Sequence, residues 1–439
     1  MPDVSPYRLS IAPDLEAFRR EIEYASAFLD RCHFVTRTQR AARVLHYGPD
    51  APPGAVAVPA ALFPGGLSVA RDGLHPERER LERMLRSDGS TALFPQDKDT
   101  VAGQRLGYDA LGLIFLMLSR LEERDGPESD RYGRFRHEAA LATRLGRHAN
   151  PLADQAAFDL ARALTGKERP ANRTAYEVVM THDVDRLRGY HRWHEPLRNA
   201  PGDVIKRRRL AAGLRRLTRA YLGGEPWRSV RALMSLSEEA GLQGRFYFMG
   251  PTRRKMDSPY ARTMAGLLRR VAGEIVARGH RVGFHPGFGT HADAAEWRRQ
   301  KAGLEEVIGR PVEEGRQHVL GYAAETTPDI WDDAGMRLDL TLAFPEATGF
   351  RSGTCRRFPA YSLCRRRALQ LAQVATAIVD FGLFGGKYRD LTVEAALADV
   401  APAVEACRRY GGTLVLLYHT GHTDSKVQRF FTTLLREVA

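Results

Sequence analysis

The chain has 439 residues, of which 43% are hydrophobic and 27% charged, a soluble globular balance with enough length for two or three domains. No run approaches the ~18 consecutive apolar residues of a membrane span. None of the four cysteines (Cys32, Cys355, Cys364, Cys407) forms a Cys-x-x-Cys pair, so a zinc ribbon or redox motif is not indicated. The formal charge of +13 favours anionic partners in general, but no nucleic-acid motif accompanies it and no nucleic-acid partner is expected. Met1-Pro2-Asp3-Val4 lacks a basic stretch followed by an apolar core, so a cytoplasmic location is expected.

Residues 1–170 read as a smaller α/β unit of unknown role. Val56 to Phe63 is a short apolar run between Pro and Gly turns. Leu106 to Leu121 carries Tyr108, Leu111, Ile114, Phe115 and Leu118 at helical spacing. The charged stretch Glu122 to Arg134 reads as loop. A second helix is predicted from about Pro151 to Leu164, and the polar Lys167 to Arg173 reads as a linker.

From 171 to 439 strands and helices alternate. Strands are predicted at Glu177–Thr181, Arg245–Met249, Arg281–Phe284 and Thr413–Tyr418, and helices at Arg228–Ala240, Tyr260–Arg278 and His291–Ile308. Such alternation indicates a parallel sheet or β/α barrel, in which functional groups gather at the carboxyl ends of strands. His182, Asp183 and Asp185 follow one strand, His285 another, and His419 and His422 the last. Two aspartates two residues apart can divide the work, one coordinating a cation and the other accepting a proton from water. Neutral imidazoles suit zinc, cobalt or nickel. A strand-to-loop turn capped by the two carboxylates is the plainer reading of Asp183 and Asp185.

Thr181-His182-Asp183-Val184-Asp185 resembles the Thr-Phe-Asp-Asp motif of the polysaccharide deacetylases, carbohydrate esterase family 4 with the nodulation-type deacetylase fold. Gly279-His280-Arg281-Val282-Gly283-Phe284-His285 is similar to that family's second motif, and Leu416-Leu417-Tyr418-His419 to its last. A bacterial subgroup with a Thr-His-Asp-Val-Asp motif and an extra N-terminal domain is closer still. It shares Arg316-Gln317-His318, the Gly349 to Cys355 segment and Phe358-Pro359. The resemblance implies a distorted (β/α) barrel of the polysaccharide deacetylase type preceded by a smaller α/β N-terminal domain. It implies Asp183 as catalytic base, Arg316 orienting it, His419 as general acid, and Asp185 and His285 as ligands of a divalent metal, zinc first, with cobalt or nickel as alternatives. The expected reaction is hydrolysis of an acetyl group on a saccharide.

Two departures stand out. The family's second metal histidine lies four residues after the first, where this chain has Gly289, so His318 is the preferred third ligand and His291 the alternative. Val184 displaces the second aspartate by one position. With a ligand missing, a non-catalytic glycan-binding or assembly protein on the same fold is the alternative function.

Arg351, Gly353 and Thr354 could line the substrate groove or form a tight turn. Trp331-Asp332-Asp333 is expected to open a helix, and Asp339 to support the site or cap a turn. The basic helical insertion near 196–226, with Lys206 to Arg209, Arg215, Arg216 and Arg219, is either a solvated helix on the barrel or a peripheral contact with an anionic membrane.

Overall fold

The computed structural model describes residues 4–84, 92–95, 101–102, 104–126, 128–187, 228–422 and 424–439. The basic insertion predicted near 196–226 therefore lies outside the described residues, as does the membrane contact drawn from it. No helix among the described residues is long and apolar enough to cross a membrane.

The first unit holds β1 (Ser5–Ile11), β2 (Val35–Arg37), β3 (Val44–Tyr47), β4 (Val56–Val58), the hairpin β5 (Leu67–Ala70) and β6 (Gly73–Pro76), and the short pair β7 (Val101–Ala102) and β8 (Arg105–Leu106). Six of these make one sheet in the order β2-β1-β3-β4-β8-β7, parallel except for the last pair. The helices Arg19–Cys32, Ala110–Ser119 and Leu152–Thr165 pack together beside it. Ala110–Ser119 is buried all round, as its uniformly apolar sequence requires. It starts at Asp109, whose carboxylate accepts from the Gly112 amide at 2.7 Å.

The second unit is a nine-stranded sheet. Its strands are β9 (Glu177–Val184), β10 (Arg245–Phe248), β11 (Arg281–Phe284), β12 (Glu314–Gly315), β13 (Leu338–Asp339), β14 (Phe358–Ser362), β15 (Arg367–Gln373), β16 (Thr376–Val379) and β17 (Thr413–Leu417). They run in the order β14-β15-β13-β12-β11-β10-β9-β17-β16, parallel throughout except for the antiparallel β14–β15 hairpin. Among the described residues β14 and β16 do not pair, so the sheet is a curled half-barrel, and the expected barrel is open. Helices Arg228–Glu239, Ala265–Ala277, Ala294–Ile308, Val393–Tyr410 and Ser425–Val438 connect the strands or follow the last. Sequence marks their ends: the Asp293 side chain accepts from the Glu296 amide, and Gly309 and Gly411 terminate helices at φ 72° and 61°.

The pleat of β9 decides what reaches the site. Met180 and Val184 point into the apolar layer between sheet and helices. Val179 points to the concave side, where it meets Tyr247, Leu340 and Val415. Thr181 and Asp183 share that concave side by the alternation of a strand.

The two units share one interior, because Tyr322, Leu342, Phe358, Tyr361 and Leu363 of the second pack into the apolar core of the first. Buried ion pairs cross the same boundary. Arg351 donates from Nε and Nη2 to the two oxygens of Glu123, at 2.8 and 2.7 Å, and Arg356 Nε donates to Asp154 at 2.8 Å. Arg351 thus does not line a substrate groove. Gly353 sits at φ 62° against Met117, and the Thr354 hydroxyl accepts from the Arg356 amide, so the turn reading of this segment holds. The predicted loop from Glu122 is also corrected at its start. Leu121–Glu123 is a 3-10 turn in which Glu122 and Glu123 are buried and paired with Arg120, and Arg124, which follows it, is buried too. Trp331 and the two aspartates after it close the helix Thr327–Asp333 instead of opening one, with Trp331 buried 5.4 Å from Trp297.

Candidate metal centre

Six loops at the carboxyl ends of the strands build the site. Asp183, the penultimate residue of β9, is buried, and its Oδ1 accepts from Arg316 Nη1 at 2.8 Å. Arg316 follows β12 and is wholly buried. Its remaining donors go to the Leu340 carbonyl at 3.1 Å and to the hydroxyls of Thr181 and Thr376, both at 2.9 Å. A buried guanidinium satisfied in this way cannot rotate, so it fixes Asp183 with Oδ2 turned to the concave face. That oxygen lies 3.9 Å from both His285 Nε2 and His419 Nε2.

His285, just past β11, donates from Nδ1 to the Arg316 carbonyl at 2.6 Å. The proton on Nδ1 leaves Nε2 as a lone pair, and this buried atom has no hydrogen-bond partner among the described residues. Asp185 Oδ1, also buried and unpartnered, stands 3.4 Å away. His318 Nε2 lies 4.0 Å from the same oxygen. One donor atom each from Asp185, His285 and His318 falls within 4.8 Å of the others. Two orphaned buried atoms and an imidazole converging on one point fit a divalent cation with nitrogen and oxygen ligands.

The supports of these ligands also fit. His318 Nδ1 donates to Asp257 Oδ1 at 2.8 Å, and the Phe288 amide donates to the same oxygen at 2.8 Å. The Ser258 hydroxyl donates to the Asp185 carbonyl. A carboxylate behind a histidine fixes its tautomer and raises its basicity toward a cation. The backbone at Val319 and Leu320 is left-handed, with φ 54° and 59°. For a β-branched residue that conformation is strained, and it lies immediately after His318.

On the far side, His419 Nδ1 donates to Asp380 Oδ1 at 2.6 Å, and the His419 amide donates to Oδ2 at 2.9 Å. His422 Nδ1 donates to that same Oδ2 at 3.1 Å, with its ring stacked on Phe381. Burial opposes charge on His419, yet the carboxylates of Asp380, then Asp185 and Asp183, push the imidazole up to about 9. Burial would likewise raise Asp380, but His419 and His422 hold it well below the usual carboxylate range. Asp185 is also held low: His285, His419 and His318 outweigh its desolvation.

Asp183, Asp185, His285, Arg316, His318 and His419 therefore converge. His182 does not belong with them. It points away from the concave face into the layer between sheet and helices, where it is buried, stacks on Phe246 at 4.6 Å and donates to the Tyr418 carbonyl at 2.9 Å. His291 is not in the cluster either; its ring packs against Gly133 and Gly321. Asp339 accepts from Thr341 and from Gln373 Nε2, and so braces the end of β13. Asp257 and Asp380 belong to no motif legible in the sequence. Asp380 directly follows β16 and obeys the strand-end rule, whereas Asp257 lies in a polar loop with no such signal.

Residues 66–169 match a family of unknown function (DUF7033). None of the curated proteins matches the chain significantly in sequence. Among solved structures, a Mycobacterium smegmatis protein classed as a polysaccharide deacetylase is similar at 19% identity and a TM-score of 0.40, over 60% of this chain and 84% of that one. A family 4 carbohydrate esterase from Streptomyces lividans is similar at 12% identity and a TM-score of 0.30, over 60% and 88% of the two chains. A CE4 family pseudoenzyme from Bacillus anthracis is similar at 11% identity and a TM-score of 0.30, over 60% and 61%.

Proposed function

We propose that the chain is a metal-dependent hydrolase that removes an acetyl group from a sugar of a bacterial surface or lipid-linked polysaccharide precursor. The observation that carries this is the pair of orphaned buried atoms, His285 Nε2 and Asp185 Oδ1, 3.4 Å apart beside a carboxylate and an imidazole each with its own buried partner. Asp185, His285 and His318 would hold the cation, with zinc first and cobalt or nickel as alternatives. When bound, the cation supplies Lewis-acid polarisation of the acyl carbonyl and acidifies water.

The chain's own residues would divide the remaining work. Arg316 occupies Asp183 Oδ1, so Oδ2 is the oxygen left to accept a proton from the attacking water. His419 is held by Asp380 with Nε2 toward the site, and its imidazolium can donate its own Nε2 proton to the departing amine or alkoxide of the sugar, after which the proton taken up by Asp183 Oδ2, 3.9 Å away, can recharge the imidazole. With Nε2 3.9 Å from Asp183 Oδ2, acid and base would stand beside the same acyl group.

A glycan-binding protein on the same fold is favoured by Gly289, which removes the family's second metal histidine. Acetate release from a panel of N- and O-acetylated saccharides decides between the two. Release that needs added zinc or cobalt, stops on chelation and is lost in Asp185→Ala supports the hydrolase. Saccharide binding with no release under any metal leaves the binding protein.

A further inference from the structure

We infer that the N-terminal unit supplies one wall of the saccharide groove through the loop closed by the Ser129–Phe135 bridge, and that Arg131 on this loop takes the carboxylate of a uronic acid next to the acylated sugar. This rests on the reading of the site as one that acts on acetylated saccharides.

The loop is internally fixed. Asp130 Oδ1 accepts from the amides of Tyr132 and Arg134, at 2.8 and 3.0 Å, and the Gly133 amide donates to the Asp130 carbonyl at 3.0 Å. Its tip reaches the second unit beside the metal centre. The Tyr132 ring stands edge-on to Phe288, with centroids 6.5 Å apart at 89°. Gly133, at φ 73°, lies so close to His291 that a Cβ there would come within 3.2 Å of the imidazole. Phe288 in turn donates its amide to Asp257 Oδ1, the oxygen that holds His318. Three contacts thus lead from Tyr132 to a cation ligand.

Charge on this rim is unevenly paired. Arg134 is buried and bound to Asp130, and Arg254 is bound to Asp293. Arg131 is exposed, and no carboxylate pairs with it among the described residues. It is nevertheless held in place: its guanidinium carbon lies 4.7 Å over the Tyr132 ring, and Nη2 donates to the Tyr132 hydroxyl at 2.6 Å. Tyr132 is a positioning residue here. An ordered guanidinium with unused donors matches a planar carboxylate better than it matches a neutral sugar hydroxyl.

The test is calorimetric binding of two tetrasaccharides to the zinc-loaded full chain at low salt. One is the hyaluronan tetrasaccharide, which alternates N-acetylglucosamine with glucuronic acid, and the other is neutral chitotetraose. The acidic one is expected to bind about five- to tenfold more tightly. Arg131→Gln should abolish that preference without changing chitotetraose affinity. Tyr132→Phe, which keeps the ring and loses the hydroxyl, should reduce the preference in part. Equal affinities, a preference that survives Arg131→Gln, or binding of neither sugar overturns the inference. Acetate release measured in parallel separates the two layers. Release from both sugars without a charge preference sinks this inference and leaves the hydrolase. A preference lost in Arg131→Gln without any acetate release does the reverse.

Discussion

Arg254 lies over Gly289, where a Cβ would come within 2.6 Å of its Nη1. The guanidinium is anchored there by donating to the Phe288 carbonyl at 2.7 Å and to Asp293 at 2.9 Å, and Gly289 itself has φ 72°. A side chain at this position would have to displace the anchored guanidinium and hold a left-handed backbone, whereas His318 already presents an imidazole toward Asp185. Gly289→His is expected to cost about 1–3 kcal/mol of stability through the left-handed backbone and the displaced guanidinium. It should add nothing to cation binding. In cobalt titrations His318→Ala should lose affinity, and adding Gly289→His to that variant should not restore it; recovery would show that the loop can present a ligand from position 289.

Asp257 is the carboxylate behind His318, and its removal tests the ligand set without touching a ligand. Asp257→Ala is expected to lower zinc or cobalt affinity about 10–100-fold, the usual effect of losing the group that orients a metal histidine. Competition with a chromophoric chelator measures it, and circular dichroism checks that the fold persists. Unchanged affinity would mean that His318 does not hold the cation.

How far the sequence discloses this arrangement depends on strand length. β9, β10, β11 and β17 are short apolar runs that each abut a turn, a histidine or an aspartate, so both the strands and His182, Asp183, Asp185, His285 and His419 are readable. β12 and β13 have two residues each, too few to show a period, so Arg316 and His318 are legible only through the resemblance of Arg316-Gln317-His318 to a known motif. Charge is the other obstacle. Glu122 and Glu123 read as loop because composition cannot reveal that Arg351, 228 positions along the chain, neutralises Glu123 in the interior. The same blindness leaves Arg351 open between a groove and a tight turn.

That buried pair yields its own expectation. Glu123 accepts from Arg351 and Arg120, which together outweigh its desolvation and hold its carboxyl below the usual range. Arg351→Met removes one partner, and Glu123→Gln leaves two buried guanidiniums short of charge. Each single change is expected to cost about 3–5 kcal/mol, and the double variant less than the sum, because both remove the same interaction. Denaturant unfolding of the four proteins measures the coupling. Strict additivity would mean that the pair does not tie the two units together.

His182 gives a pH dependence whose sign follows from where it points. Burial, ahead of every other influence, lowers its imidazole to about 4, so the ring is neutral in the folded chain at pH 5. In the unfolded chain a histidine titrates at about 6.5. Between these values the unfolded state binds a proton that the folded state refuses, so stability falls as pH drops from about 6.5 toward about 4, and this contribution levels off below that. From pH 7 to pH 5 the loss from this one residue is expected to be about 2 kcal/mol. Phenylalanine is of similar size and can stack on Phe246 in the same way. His182→Phe should cost about 1 kcal/mol at pH 7, because the Tyr418 carbonyl loses its donor. It should also lose about 2 kcal/mol less than the natural chain on going to pH 5. Urea unfolding in the presence of chelator, which removes any acid effect of cation release, measures both. Equal losses in the two proteins would mean that the folded chain already accepts the proton at His182.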